Sequence, residues 1–273
     1  LNVSPYYDDF DTNDNFHRVL FRPGFAVQAR ELTQLQSILQ NQIERHGQNI
    51  FKDGTVIIPG QVSISNAYTS IQLASQFGGE DVVVSQYLNT TTPVTITGAT
   101  SGVKAKVIGV KAGTSTTQPV LYIQYIQAGS DNTTQVFSNS ENISADASVT
   151  HTTTYATNVA SATTHTTAAQ TGTSAKVEAG IYYIRGQFVR VAEQTHVINA
   201  TSQTASARVG FTITESLITP ESDSSLTDNA TGSSNFAAKG AHRLKIELTL
   251  TSLAESSTAD TSFIELARVK SGK

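Results

Sequence analysis

Cysteine, methionine and tryptophan are all absent from this sequence, and charged residues make up only 15% of it. Without cysteine there are no disulfides, thiolate metal ligands, iron–sulfur clusters or cysteine nucleophiles. The charge content is well below the ~25% of ordinary soluble domains, so solubility rests on Thr, Ser, Asn and Gln, a balance common in β-rich extracellular proteins. A net charge of −4 provides no basic footprint for nucleic acid or for an anionic membrane surface. No run of about 18 apolar residues is present, and the acidic, aromatic start LNVSPYYDDFDTNDNF is unlike a secretory signal. Membrane insertion is therefore not expected. The missing Met, Leu at position 1 and the strand-like ending SFIELARVKSGK lead to the expectation of a piece of a longer chain.

What is present is enough for a core: 273 residues, 38% of them hydrophobic. The expected fold class is mainly β with one long N-terminal helix, the β-regions forming sandwich or small-barrel modules. Five parts follow in order. Residues 1–25 read as an extended arm ending in the turn signal RPG at Arg22 to Gly24. Residues 26–47 read as a helix, with Glu31 near its start, Arg45 and His46 in its last turn, and Gly47 at the position of a left-handed C-terminal cap. Residues 48–88 switch to a period of two in TVIIPG, QVSISN and YTSIQL. Residues 89–178 are poor in charge, with strand-like VTITG, VKAKVIGVKAG and VLYIQYI. Their Thr- and Ala-rich end, Ser148 to Ser174, fits either β structure, which Thr favours, or a long surface loop. Residues 179–273 hold the strongest strands, including Leu244, Ile246, Leu248 and Leu250 alternating with polar neighbours.

The helix is the most informative element. Leu32, Leu35, Leu39, Gln42 and His46 recur at alternating steps of three and four, flanked by Ile38 and Ile43, over about two and a half heptads. Two readings fit this row. In one the helix lies on its own β-domain; in the other it self-associates, with Gln42 and His46 as polar layers that set register. The arm carries aromatics at Tyr6, Tyr7, Phe10 and Phe16, spread through polar residues with no helical or strand period. Such a segment buries little against itself, so it reads as a docking arm ordered by a partner.

Sites for chemistry are few. Asp9, Asp11 and Asn13 have the 1, 3, 5 spacing of a calcium loop, but Asp14 stands where that loop needs Gly and Leu20 where it needs Glu. His151 and His165 are too far apart for a paired-ligand motif, and His17, His196 and His242 each stand alone, which points to structural histidines. There is no nucleophile elbow and no phosphate loop. Glu221, Asp223 and Asp228 lie in a turn-rich segment that gives no sign of a carboxylate pair across a cleft. No cofactor, no metal and no catalysis is expected.

The blocks NVSPYYDDFD, NFHRVLFRPGFAVQARELTQLQSILQNQIERHGQNIFKDGTVIIPG, GIYYIRGQFVRV, RVGFTITESLITPE and DNATGSSNFAAKGAHRLKIELTL resemble an uncharacterised domain family of tailed-bacteriophage tail proteins. That family occurs at the start of tail-fibre or baseplate-associated chains, notably in phages of cyanobacteria and other marine bacteria. The similarity covers most of residues 2–65 and 180–250, and the stretch between them is similar to small β-modules inserted in the same class of virion protein. Lys239 departs from the pattern, which has Pro there. The resemblance implies a structural virion component, homotrimeric, located in the tail or baseplate and bound to other tail proteins. It makes Leu32, Leu35, Ile38, Leu39, Gln42, Ile43 and His46 a trimer seam and the arm an attachment to the tail. A baseplate wedge component that receives fibres, or a receptor-binding or glycan-degrading spike, is the alternative.

Overall fold

The computed structural model describes residues 3–89, 91–258 and 261–273. The chain is mainly β, with one long helix near its start. That helix, α1 (Ala29–Gln48), is rich in Leu, Gln, Glu and Arg, all good helix formers. It begins three residues later than the periodicity predicts because Gln28 is extended and its N–H donates to Glu31 Oε2 at 2.8 Å. At the other end the expected left-handed cap at Gly47 is corrected. Gly47 lies inside the helix and the last turn closes at Asn49, whose side chain donates to Arg45 O at 2.7 Å. What requires glycine at 47 is a close approach: a Cβ there would sit 2.6 Å from the ring of Tyr183.

Beyond α1 the strands of three or more residues are β1 (Val56–Ile58), β2 (Val62–Leu73), β3 (Thr95–Gly98), β4 (Lys104–Lys111), β5 (Val120–Gln127), β6 (Asn142–Ala145) and β7 (Ala160–Val177). Then come β8 (Gly180–Ile184), β9 (Gln187–Val191), β10 (Gln194–Asn199), β11 (Ala207–Ile218), β12 (Arg243–Ala254) and β13 (Phe263–Val269). Strands β2, β5, β4, β3, β6 and β7 are neighbours in that order, all antiparallel, and β7 returns to β2. The result is a closed six-stranded barrel with no free edge. The boundary expected at residue 89 thus falls inside one folded unit, because β2 is needed to close the barrel. Inward residues Ile71, Leu73, Ile96, Leu121, Ile123 and Ile143 fill it, with Tyr87 entering from the short 3-10 helix Val84–Tyr87 and Phe137 from a loop. The Tyr87 hydroxyl donates to Ser161 Oγ at 3.1 Å, and burial pushes its phenol up to about 12.

The last turn of barrel closure is held by a buried carboxylate. Glu141 accepts from the N–H groups of Thr100 (2.9 Å), Ser101 (2.8 Å) and Ser138 (2.6 Å), and from Ser101 Oγ (2.8 Å). These bonds tie the β3–β4 turn to the start of β6. Charge-assisted bonds of this kind are the strong ones.

The second half is a sandwich. The sheet β12-β11-β13 faces the sheet β1-β8-β9, and Val209, Phe211, Ile213, Leu248 and Leu250 meet Tyr182, Ile184, Val189 and Val191. Tyr182 stands edge-on to Phe211 with centroids 4.8 Å apart. The long strands β2 and β7 run from one core into the other: Ile71 and Ala162 lie in the barrel core, Ile64 and Ala175 in the sandwich core. The Thr- and Ala-rich stretch that fits either strand or loop is therefore the central strand of the molecule. The alternation in β12 is observed too, with Leu248 and Leu250 buried, but Leu244 is exposed because the end of the β11–β12 hairpin runs past the sandwich.

Two stability predictions follow from these contacts. Gly47→Ala stabilises an ordinary exposed helix by ~1 kcal/mol; here it should destabilise by about 1–3 kcal/mol, because Tyr183 is fully buried and its hydroxyl is fixed on Glu44 O at 3.1 Å. Urea denaturation reads the sign, and a gain in stability would show the contact to be soft. Glu141→Gln keeps the shape but turns an amide NH2 toward N–H donors, and should cost about 2–4 kcal/mol in the same assay. A change within measurement error would remove Glu141 from the closure of the barrel.

Candidate functional site: the outward helix stripe and the amino-terminal arm

Two contacts set the rotation of α1 on the sandwich. Tyr183 packs on the bare backbone at Gly47, between Phe51 and Phe188, and Gln40 Nε2 donates to Gly186 O at 2.9 Å. The residues of the helix covered by its own chain are mostly polar or small, among them Ser37, Gln40, Asn41 and Gly47; of the large apolar ones, Ile38 is only 3% exposed and Leu35 is half-buried. The side turned outward carries Leu32, Leu39 (57% exposed) and Ile43, with Ile50 just beyond the helix. Gln36 and His46 lie in the same row, so positions 32, 36, 39, 43, 46 and 50 repeat at steps of four and three, the spacing of a coiled-coil seam.

This placement refines the row expected from periodicity. Leu32, Leu39, Ile43 and His46 are exposed. Leu35 is half-buried, and Gln42 is exposed but lies on the flank, its place in the row taken by Ile43. Ile38 is corrected: it is buried within its own chain, between Ser37 and Asn41, the two helix residues that bond Asp8 and Thr12 of the arm. The glutamine that interrupts the outward row is Gln36.

The arm is not a simple tether. Residues 3–15 fold back along α1. Asp8 is 1% exposed, accepts from Ser37 Oγ and takes the Phe10 N–H at 3.2 Å; Asp9 pairs with Arg30 at 2.9 Å. Tyr6 reaches the β11–β12 hairpin, where its hydroxyl bonds His242 Nδ1 and the two rings meet edge-on. Of the four predicted docking aromatics, Tyr6 and Phe10 are half-buried on their own chain and Tyr7 and Phe16 are exposed. The change comes at Asn15, whose left-handed backbone (φ 56°) turns the chain away. After it the RPG signal is a real turn: Phe25 N–H donates to Arg22 O at 3.3 Å, Gly24 supplies the positive φ of 83°, and the Arg22 guanidinium stacks 4.4 Å over the Phe25 ring.

Between the arm, α1 and the projecting hairpin lies a cleft of about 1120 Å³, with Tyr6, Phe10, Leu217, Leu244 and Ile246 among its walls. Sequence reasoning missed it, since it joins segments more than 200 positions apart. The nearest signal was the alternation in β12, whose first member Leu244 has no cover from its own sandwich.

The other candidates have local structural roles. Asp11 caps the turn Thr12–Asp14 through the Asn13 N–H at 2.8 Å. Glu221 pairs with Lys239 at 2.7 Å, and that lysine holds the carboxyl down at about 2. Asp223 accepts from Ser225 N and Asp228 from Ala230 N. Lys239, at the position where the resemblance has Pro, bridges Thr227 through its backbone. His151 accepts from Val83 N–H on Nδ1 and donates from Nε2 to Ser161 O, which fixes the neutral tautomer. His196 bonds Ser252 Oγ at 2.9 Å, and burial lowers its imidazole pKa. Among the described residues, no group of three His, Asp or Glu is placed to hold a metal, and no helix is long and apolar enough to cross a membrane.

Comparison with known proteins finds no match among curated proteins and none among solved structures. A family model described as a domain of unknown function, DUF4815, matches residues 4–124 and 158–273. The unmatched segment between them contains β6 and Glu141, the parts that complete the barrel. The match includes the arm, α1, the sandwich and the cleft, and with most of its length covered the chain belongs to the DUF4815 family.

Proposed function

We propose that this chain is a structural virion protein, the tail-proximal part of a homotrimeric phage tail fibre or a fibre-to-baseplate connector, with no catalysis of its own. The observation that carries this reading is the outward row Leu32, Leu39, Ile43 and Ile50 on α1. A helix that turns its polar flank to its own chain and its apolar row to solvent is built for a partner, since each large apolar side chain it covers contributes about 1.5–3 kcal/mol. The heptad spacing of that row makes a second and third copy of the same helix the natural cover, with Gln36 and His46 as polar layers of the bundle. The β-modules would surround and extend the seam, and other tail or baseplate proteins would bind outside it.

The phage setting and the number three come from the resemblance of the arm, helix and sandwich blocks to phage tail proteins. The side chains alone allow two strands as well, because Ile at one seam position and Leu at the other also suits parallel dimers.

The test is the mass in solution. Sedimentation or light scattering at micromolar concentration should give three times the 29.1 kDa of one chain. Leu39→Ser with Ile43→Ser should give one chain's mass and an unchanged β-type circular dichroism spectrum, since neither side chain supports its own fold. A monomeric parent protein would end the reading. A dimer would keep the seam and correct the number.

A further inference from the structure

The loop that follows the arm is longer than its own chain needs. Thr12 contacts Asn41 on α1, which lies about 18 Å along the helix from Ala29 at 1.5 Å per residue. The residues between Thr12 and Ala29 reach about 50 Å when extended. The slack forms a finger, residues 16–28, in which every residue except half-buried Val19 is exposed. Its tip is the ordered turn at Pro23 and Gly24, and nothing lies within 4 Å of where a Gly24 Cβ would be. An ordered turn here holds Leu20 (77% exposed), Phe21, Phe25 and Val27 out in water.

Size and charge both point to a second copy of this chain as the cover. With about 150–250 Å² on a large aromatic side chain, the finger exposes roughly 500 Å² of apolar surface. Together with the α1 row this comes to roughly 900 Å² per copy, above the ~800 Å² each partner contributes to a standard stable interface. The finger carries Arg18 and Arg22 and no carboxylate, and neither arginine makes an ion pair among the described residues. The arm beside the cleft carries exposed Asp11 and Asp14, likewise without an ion pair there. The cleft has an apolar end at Phe10, Leu217, Leu244 and Ile246 beside a polar wall that includes Gln40, Glu44 and Arg243, and it has room for several large side chains. The chain's own finger leaves it open.

We propose that the finger is exchanged: residues 16–27 of one copy lie in the cleft of the next, Phe21 and Phe25 against its Leu217 and Leu244, and Arg18 and Arg22 beside its Asp11 and Asp14. This rests on the self-association proposed above and adds a second contact to the α1 seam, one that locks each copy to its neighbour.

The absence of native cysteine makes disulfide trapping clean. Chains carrying only Phe25→Cys are mixed with differently tagged chains carrying only Leu244→Cys, unfolded, refolded together and oxidised mildly. The expected product is a covalent pair bearing both tags, lost on reduction. Leu20→Ser, Phe21→Ser and Phe25→Ser combined should raise the concentration at which the oligomer half-dissociates by at least a hundredfold, with the spectrum of the folded chain unchanged. If the oligomer has the expected mass but no mixed product forms and the triple variant dissociates like the parent, the exchange is wrong while the seam stands; a cover from another virion protein is then what remains for the finger. A monomeric parent overturns both.

Discussion

The packing of Tyr183 on the bare backbone of Gly47 decides what face this molecule shows. The β8–β9 hairpin turns tightly at Arg185 and Gly186, both with positive φ, the turn whose twist suits two antiparallel strands. That turn carries Tyr183 and the Gly186 carbonyl to one side of α1, where the ring meets Gly47 and Gln40 meets the carbonyl. A helix fixed at two points along one side cannot roll. Ser37 and Asn41 are then presented to the arm, and the Leu32 to Ile50 row faces out. The cleft is a consequence of the same seating, because it is the space between the arm held on α1 and the hairpin end that runs past the sandwich.

The β-structure gives that seat its rigidity through two shared strands. Because β2 and β7 belong to both cores, barrel and sandwich are coupled along continuous backbone and not across a linker. Strands crowd on both edges of β7, which explains its composition: Ala162, Thr164, Ala168, Thr173, Ser174 and Ala175 are small and buried. Their hydroxyls are satisfied without charge, as in Thr164 to Ser138 O and Thr173 to Ser202 O, both at 2.8 Å. A low-charge, Thr-rich sequence is what such an interior requires, since buried polar groups must be bonded and a short hydroxyl can reach a neighbouring carbonyl.

The same features explain what could be read from the sequence. The helix, the change to a period of two and the buried face of β12 depend on neighbours in the chain, and all were legible. Periodicity also found the apolar side of α1, but adjacent rows such as 32, 35, 39 and 32, 36, 39 differ by a small rotation. The choice between them is made by Tyr183, 139 positions away from its bond on Glu44. The misread role of Gly47 has that cause too: a glycine near a helix end signals a cap by local rules, and only the distant ring shows otherwise. The arm looked free because its contacts, Asp8 with Ser37 and Tyr6 with His242 among them, are with residues distant in the sequence. Closure of the barrel was illegible for the same reason, as Glu141 reaches across 40 positions to Ser101.

The arm is also held less firmly than its burial implies. The Asp9 to Arg30 pair is more than half exposed at both ends, and such pairs contribute between nothing and about 1 kcal/mol. The other contacts that anchor residues 3–15 include Asp8 on Ser37 and Thr12 on Asn41, both at α1, and Tyr6 on His242 at the hairpin end. Tyr6, Ser37 and His242 line the cleft, and the arm ends at Asn15, where the finger begins. The arm and the cleft are thus both set on α1, and the finger follows the arm directly in the chain. On the proposed reading, assembly then proceeds as one step in which the seam closes and the exposed apolar finger is covered together.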